Sequence, residues 1–370
     1  MPQTTFMPDA RAAIRSISFG EAIREGILEA ARRDPAVFLM AEGVDDPSSV
    51  FGTIKGIGKE LGSARSVEMP IAENALIGIA IGAAMSGRRP VISLQRIEFA
   101  LLAIEQIVNN AAKTHYVSNG QHRVPLVLRM VVGRGWGQGP EHSQSLEAMF
   151  SYFPGLKVVM PAIPREAKGL IVAAIEDDNP VIFIEHRWCQ FATGHVPEGY
   201  YRQDLTGSHL HGSGTDVTIV ASSYMTLEAL RAAEALKEVG CAATVIDLGV
   251  LRPLNMGPIF ESVRKTGRLL TVDTGWRTLG LGAEIVARVV QECFGELKTA
   301  PHRIGLPDHP APSSRGLVAN FYPNAETILA EAGAMANIDQ AKLATARADL
   351  TAKRSKIPVD VPDPFFKGPF

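Results

Sequence analysis

Short runs of aliphatic and β-branched residues alternate along the chain with longer stretches whose apolar positions recur every three or four residues. This alternation predicts parallel strands covered by helices. RPVISLQ reads as a strand and EFALLAIEQIVNNAAKTHYV after it as a helix. The order continues with VPLVLRMVV (strand), HSQSLEAMFSYF (helix), LKVVMPA (strand), PREAKGLIVAAIEDD (helix, proline in its first turn) and PVIFIEH (strand). Ahead of these, MPIAENALIGIAIGAAMSGRRP predicts a helix beginning near Ala75. A second series, DVTIVASS, MTLEALRAAEALKEVG, CAATVIDLGVLRP, MGPIFESVRKTG, RLLTVDTG and GAEIVARVVQECFGEL, repeats the alternation. The expectation is two doubly wound α/β domains, residues 1–190 and 216–336. Residues 191–215, rich in Gly, His, Tyr and Ser without a clear period, read as the connection between them. Residues 337–370 form a helical and Pro-rich tail ending VPDPFFKGPF, which cannot build a core alone and is expected to strap onto a neighbouring surface.

A length of 370 residues suits two such cores. Lys plus Arg (37) nearly balance Asp plus Glu (39), so bulk charge directs the chain to neither nucleic acid nor an anionic membrane. Cys189, Cys241 and Cys293 are odd in number and widely spaced, which fits reduced core residues better than disulfides. No apolar run reaches a membrane span, and the first residues lack the apolar core of a secretory signal. A soluble cytoplasmic protein is expected.

Against this background Glu73 stands out. It is a single carboxylate ahead of a long run of small and apolar residues. Such a group faces water, finds a partner, caps the helix it precedes, or is kept for chemistry. The stretch GRGWGQG, between a strand and a helix, matches neither GxGxxG nor GxxxxGK[ST], so it reads as an active-site loop at the carboxyl end of a strand and not as a phosphate loop. His142 closes that loop at a helix start, and Phe99 lies on an apolar helical face. His209 and His211 lie in the connection without the further ligands that a zinc site needs.

Taken together, PIAENALIGIAIGAAMSGRRPV, AIEQIVNNAAKTHY, the run from EHSQSLEAMFSYF to NPVIFIE, VIDLGVLRPL and GLGAEIVARVV resemble the β subunit of thiamine-diphosphate-dependent 2-oxoacid dehydrogenase E1 components. The resemblance runs in order from about residue 18 to about residue 328. It implies a pyrimidine-binding transketolase-like domain followed by a transketolase C-terminal domain. It implies that Glu73 hydrogen-bonds N1′ of the cofactor aminopyrimidine and helps form the 4′-imino group that deprotonates thiazolium C2. A carboxyl held among apolar groups favours its neutral form and can share a proton with a ring nitrogen, so the chemistry agrees. By the same resemblance Phe99 packs on the pyrimidine and His142 acts near the reacting carbon, while Gln95, which departs from the usual pattern at the end of the RPVISLQ strand, is a further candidate at the cofactor. Leu126, Ala174, Ile175, Asp177 and Asn179 match positions that hold a monovalent cation such as K⁺ in some members.

The GDG segment, with its later Asn, that binds Mg²⁺ and diphosphate in such enzymes does not occur in these 370 residues. The resemblance therefore implies an α subunit that brings it, an α2β2 assembly, and a 2-oxo acid substrate whose acyl or hydroxyalkyl group passes to an acceptor such as a lipoyl carrier. Arg96, Arg134 and Trp136 depart from the usual pattern and point to a larger polar or doubly anionic substrate, unless one arginine pairs with Glu98 or Glu141. Two rival readings are a split transketolase or carboligase and a non-catalytic partner subunit.

Overall fold

The computed structural model describes residues 15–44, 52–135 and 137–354. The chain opens with β1 (Ser16–Ser18) and α1 (Phe19–Arg33). Ser18 and Glu21 close a capping box at the start of α1, with Ser18 N donating to Glu21 Oε2 at 2.8 Å and Glu21 N to Ser18 Oγ at 3.2 Å. Then come β2 (Val37–Ala41), α2 (Ile57–Leu61), β3 (Ser66–Glu68), α3 (Glu73–Met85), β4 (Arg89–Leu94), α4 (Ala112–Val117), β5 (Val127–Val132), α5 (Glu147–Tyr152), β6 (Lys157–Val159), α6 (Pro164–Glu176) and β7 (Val181–His186). The connection contributes β8 (Thr193–His195) and β9 (His209–His211). The second half follows as β10 (Val217–Ala221), α7 (Tyr224–Glu238), β11 (Ala243–Asp247), β12 (Val250–Arg252), α8 (Gly257–Thr266), β13 (Leu269–Trp276), α9 (Leu281–Cys293), β14 (His302–Leu306), α10 (Arg315–Val318), α11 (Ala325–Met335) and α12 (Gln340–Arg354).

The first half builds a seven-stranded sheet in the order β12-β6-β7-β5-β4-β2-β3, parallel except where β12 meets β6. Every residue of β5 and β7 is buried, as both-face coverage by helices requires of a parallel sheet. The second half builds β14-β13-β10-β11-β9, in which β9 runs antiparallel to β11. On one face α1 lies close against α6, because a Cβ on Gly26 would sit 2.4 Å from Ile171 Cγ2.

Several elements differ from their sequence reading, each for a local reason. The stretch read as one strand, CAATVIDLGVLRP, breaks at Gly249 (φ +51°) into β11 in the second sheet and β12 in the first. The connection is not irregular throughout, since β8 pairs with β1 and β9 with β11. EFALLAIEQIVNNAAKTHYV is a 3₁₀ segment (Ile97–Ala103), a π segment (Gln106–Ala111) and then α4. Apolar spacing reports a helical face and not the pitch of its hydrogen bonds. The helix read from His142 begins at Glu147, because Gln144 N donates to Glu98 Oε1 at 2.8 Å and leaves the helical path. The halves also share their cores. One apolar cluster joins Ile171 and Trp188 to Val217 and Tyr224, and another joins Ile182 to Ile246 and Leu251. The cysteines are buried and free. Residues 355–370 of the expected strapping tail lie outside the described residues, and among the described residues no helix is long and apolar enough to cross a membrane.

Candidate active site

The parallel strands of the first sheet end along one edge, the side on which open α/β sheets bind ligands. β2 ends at Glu42, β4 at Gln95 and Arg96, β5 at Gly133 and Arg134, and β7 at His186 and Arg187. α3 starts at the same edge. Glu73 is its first residue, where the helix dipole favours negative charge, yet its side chain is only 5% exposed. Among the described residues no hydrogen bond is formed to its carboxylate, so it is neither a cap nor an ion-pair partner there. Burial, with the charges of Glu73 and Glu68 beside it, pushes the pKa of Glu42 up. Glu42 Oε1 is buried without a hydrogen-bond partner among the described residues. Gln95 Nε2 donates to Glu42 O at 3.3 Å, which turns Gln95 toward this acidic pair.

The next residues along the edge form a second group. The rings of Phe99 and His142 meet edge to face, with centroids 5.7 Å apart at 81°. His142 Nδ1 lies 2.7 Å from Glu141 O. A carbonyl only accepts, so Nδ1 is the donor in this contact and Nε2 is left to face outward from it. Arg96 Nη1 donates to Gln138 Oε1 at 2.9 Å and to His142 O at 3.2 Å, so it fixes the loop that carries the histidine. Burial pushes the Arg96 pKa down, offset in part by Glu98. Burial raises Glu98, while the Gln144 amide and the Arg96 charge oppose the rise. Its Oε2 has no hydrogen-bond partner among the described residues.

Two expectations change. Arg134, expected to reach a substrate, is 0% exposed and donates from Nε to Gln138 O (2.8 Å) and from Nη2 to Ser313 O (2.9 Å). In this arrangement it ties the GRGWGQG loop to the second half of the chain. Gly133 makes the approach possible: its φ is +96°, and a Cβ there would stand 2.7 Å from the His186 ring. Trp136 lies outside the described residues. Three of the carbonyls expected to hold a monovalent cation, those of Leu126, Ile175 and Asp177, accept hydrogen bonds from the chain itself. Arg89 Nη1 donates to Ile175 O (3.2 Å) and Asp177 O (3.0 Å), Val181 N donates to Leu126 O (2.9 Å), and Asn179 N donates to Asp177 Oδ1 (2.9 Å). Lys157 pairs with the other Asp177 oxygen, and Ala174 is buried in the apolar core. The Arg89 guanidinium thus shares two of the carbonyls that were expected to face a bound cation.

Glu42, Gln138 and Arg187 escaped the sequence reading. Gln138 Oε1 accepts from Arg96 (2.9 Å), Arg187 Nη1 (2.7 Å) and Gly135 N (2.9 Å), and so gathers two arginines at the edge. Burial, and then the neighbouring Arg96 charge, push the Arg187 pKa down to about 9. No motif marks these residues, since a strand end acquires its neighbours only when the sheet forms.

Two family descriptions match the chain, "Transketolase, pyrimidine binding domain" over residues 15–188 and "Transketolase, C-terminal domain" over residues 207–328. The subunit beta of acetoin:2,6-dichlorophenolindophenol oxidoreductase from Cupriavidus necator is 38% identical over 327 residues, covering 86% of this chain and 97% of that protein. The pyruvate dehydrogenase E1 component subunit beta of Rattus norvegicus mitochondria is 36% identical over 329 residues, covering 88% and 91%. The Rhizobium meliloti protein of the same name is 36% identical over 321 residues, covering 86% and 70%. Among solved structures, a split gene transketolase described as an inactive beta4 tetramer superposes with a TM-score of 0.69 at 24% identity, covering 88% of this chain and 99% of that one.

Proposed function

The chain belongs to the β subunits of thiamine-diphosphate-dependent 2-oxoacid dehydrogenase E1 components, which have the transketolase two-domain fold, and from that premise we propose that its sheet edge is the pyrimidine-side half of an active site completed by an α subunit. The observation that carries the proposal is Glu73, a buried carboxylate that no group among the described residues satisfies, at a helix start on the sheet edge near Glu42.

The residues fit the cofactor. Glu73 and the orphaned Glu42 Oε1 leave carboxylate acceptors free, and the same edge carries the half-buried ring of Phe99. Glu73 would hold a proton against the aminopyrimidine ring nitrogen, Phe99 would cover a ring face, and Gln95 would close the side toward Glu42. When bound, thiamine diphosphate supplies the carbon nucleophile and the electron sink for cleavage beside a ketone. His142, held by its Nδ1, presents Nε2 to exchange a proton with the substrate. Arg96 is the half-buried cation nearest to His142 and would receive the carboxylate of a 2-oxo acid, with Arg187 and Gln138 behind it.

A partner must supply the Mg²⁺ and diphosphate ligands, since the GDG segment does not occur in this sequence. α3 supports a partner on this side, because it is apolar nearly all round yet exposes Ile79 and Met85, close to exposed Leu102 on the 3₁₀ segment. We place the chain in a cytoplasmic α2β2 assembly, which the free, buried cysteines suit. The test is to co-purify the assembled complex and measure 2-oxo acid turnover with Glu73→Gln. Turnover should drop by about 10²–10⁴ while the fold survives, and near-normal turnover at saturating cofactor would overturn the assignment. Reduction of a lipoyl acceptor supports the dehydrogenase outcome, and accumulation of a C–C coupled product would replace it with the carboligase one.

A further inference from the structure

A second polar cluster shares no residue with the edge described above. His209 and His211 stand two apart on β9, so both imidazoles leave the same face of the strand. The antiparallel register sets His209 opposite Asp247 at the end of β11. Glu166, in the first turn of α6, comes to the same place from the first half of the chain. Glu166, His211 and Asp247 each offer a ligand atom, and these atoms lie within 4.8 Å of one another. His209 Nδ1 is 3.6 Å from Glu166 Oε1.

What singles this cluster out is unmet hydrogen bonding. Glu166 is 3% and Asp247 0% exposed. Glu166 Oε2, Asp247 Oδ2 and His211 Nε2 are all buried, and none has a hydrogen-bond partner among the described residues. Asp247 Oδ1 is occupied by Thr226 Oγ1 (3.0 Å) and Gly249 N (3.2 Å), which holds the carboxylate in place with Oδ2 left over. Two buried carboxyls facing each other need either a shared proton or a cation between them.

We propose that Glu166, His209, His211 and Asp247 bind one divalent cation of the zinc type, which fastens helix α6 of the first half to the second sheet through the connecting strand. Two carboxylates balance the ionic charge, and two imidazoles with two carboxylate oxygens form a mixed N/O set that suits Zn²⁺ better than Mg²⁺ or Ca²⁺. A four-coordinate ion bonded at about 2.1 Å holds its ligand atoms about 3.4 Å apart, so Glu166, His211 and Asp247 must close by up to about 1.4 Å, and His209, which stands 3.6 Å from Glu166 but outside that group of three, must turn in with them. Gln203 supplies an outer contact. Its Nε2 stands 2.9 Å from His209 Nε2, while its Oε1 is buried without a partner. A half-turn of that amide brings Oε1 to an Nε2–H and frees Nδ1 for the ion. Residues 166, 209, 211 and 247 form no sequence motif, so only the fold assembles them.

The test uses the full-length chain in its assembled complex, stripped with a chelator and titrated with Zn²⁺ in a calorimeter. One Zn²⁺ per chain is expected, with a higher Tm and, for Co²⁺ in its place, visible absorption of a four-coordinate ion. His211→Asn and Asp247→Asn should abolish stoichiometric uptake, and Gln203→Ala should weaken it about tenfold or more. Failure of the wild type to take up one equivalent would overturn the proposal, as would equal uptake by the variants. A metal-free Glu166→Gln protein that melts higher than wild type, with no effect of Zn²⁺ on wild type, would show a shared proton instead.

Discussion

Arg96 and Arg134 carry the same charge at neighbouring strand ends, yet their surroundings give them different work. Arg96 is half-buried beside His142 O, whereas Arg134 spends its donors on Gln138 O and Ser313 O. Arg96→Ala should raise KM for a charged 2-oxo acid by the equivalent of about 1.5–3 kcal/mol and spare a neutral analogue. Arg134→Ala should cost both substrates alike and lower Tm, since it removes the hydrogen bonds to Gln138 O and Ser313 O that tie the loop to the second half of the chain. Steady-state kinetics on the two substrates, with melting curves, separate these outcomes. Asp273 offers a test in pH. It accepts from Gly282 N at 3.0 and 3.2 Å, and burial together with the Glu147 charge pushes its pKa up to about 7. An aspartate in the unfolded chain titrates near 3.9, so the native state holds this proton more tightly. Stability from this group is therefore full below about pH 4 and is lost as pH rises through about 7. Asp273→Asn should remove that loss, on the order of 3 kcal/mol, and so stabilise the protein more at pH 8 than at pH 5. Parallel pH profiles of Tm for the two proteins would contradict it.

At the scale of elements, Arg89 joins the start of β4 to the end of α6. It donates to Ile175 O and Asp177 O, the last carbonyls of a helix, where positive charge is favoured, and it also pairs with Asp178 and Asp34. Arg89→Ala should destabilise the chain by about 1–3 kcal/mol in urea titration. Exchanging K⁺ for Na⁺ at constant ionic strength should leave the wild-type midpoint unchanged. A clear K⁺ requirement would mean that the arginine does not take the cation's place. The strands β4, β5, β7, β10 and β13 were legible in the sequence, because strands buried on both faces read as continuous apolar runs. The splitting of β11 from β12 was not, because the same apolar run serves two sheets and only Gly249 marks the corner.

At the scale of the molecule, Glu73 at the sheet edge of a sequence without a GDG segment, together with exposed Ile79, Met85 and Leu102, supports the proposal of half a site. The chain without its partner should bind thiamine diphosphate with Mg²⁺ weakly and self-associate as concentration rises. Calorimetry and sedimentation velocity on the single chain check this, and tight cofactor binding by the chain alone would refute it.

The sequence by itself determined the α/β class, the family, and Glu73, Phe99 and His142 as candidates. The class rests on local periodicity, and the family and the three candidates rest on the resemblance that motifs in order along the chain carry. Tertiary structure alone decided that Arg134 is buried while Arg96 stays half-exposed, that Arg89 meets the carbonyls at the end of α6, and that Glu166 and Asp247 join His209 and His211. Those pairings link residues separated by tens of positions along the chain, and their distances come from strand register and helix packing, to which local pattern carries no signal.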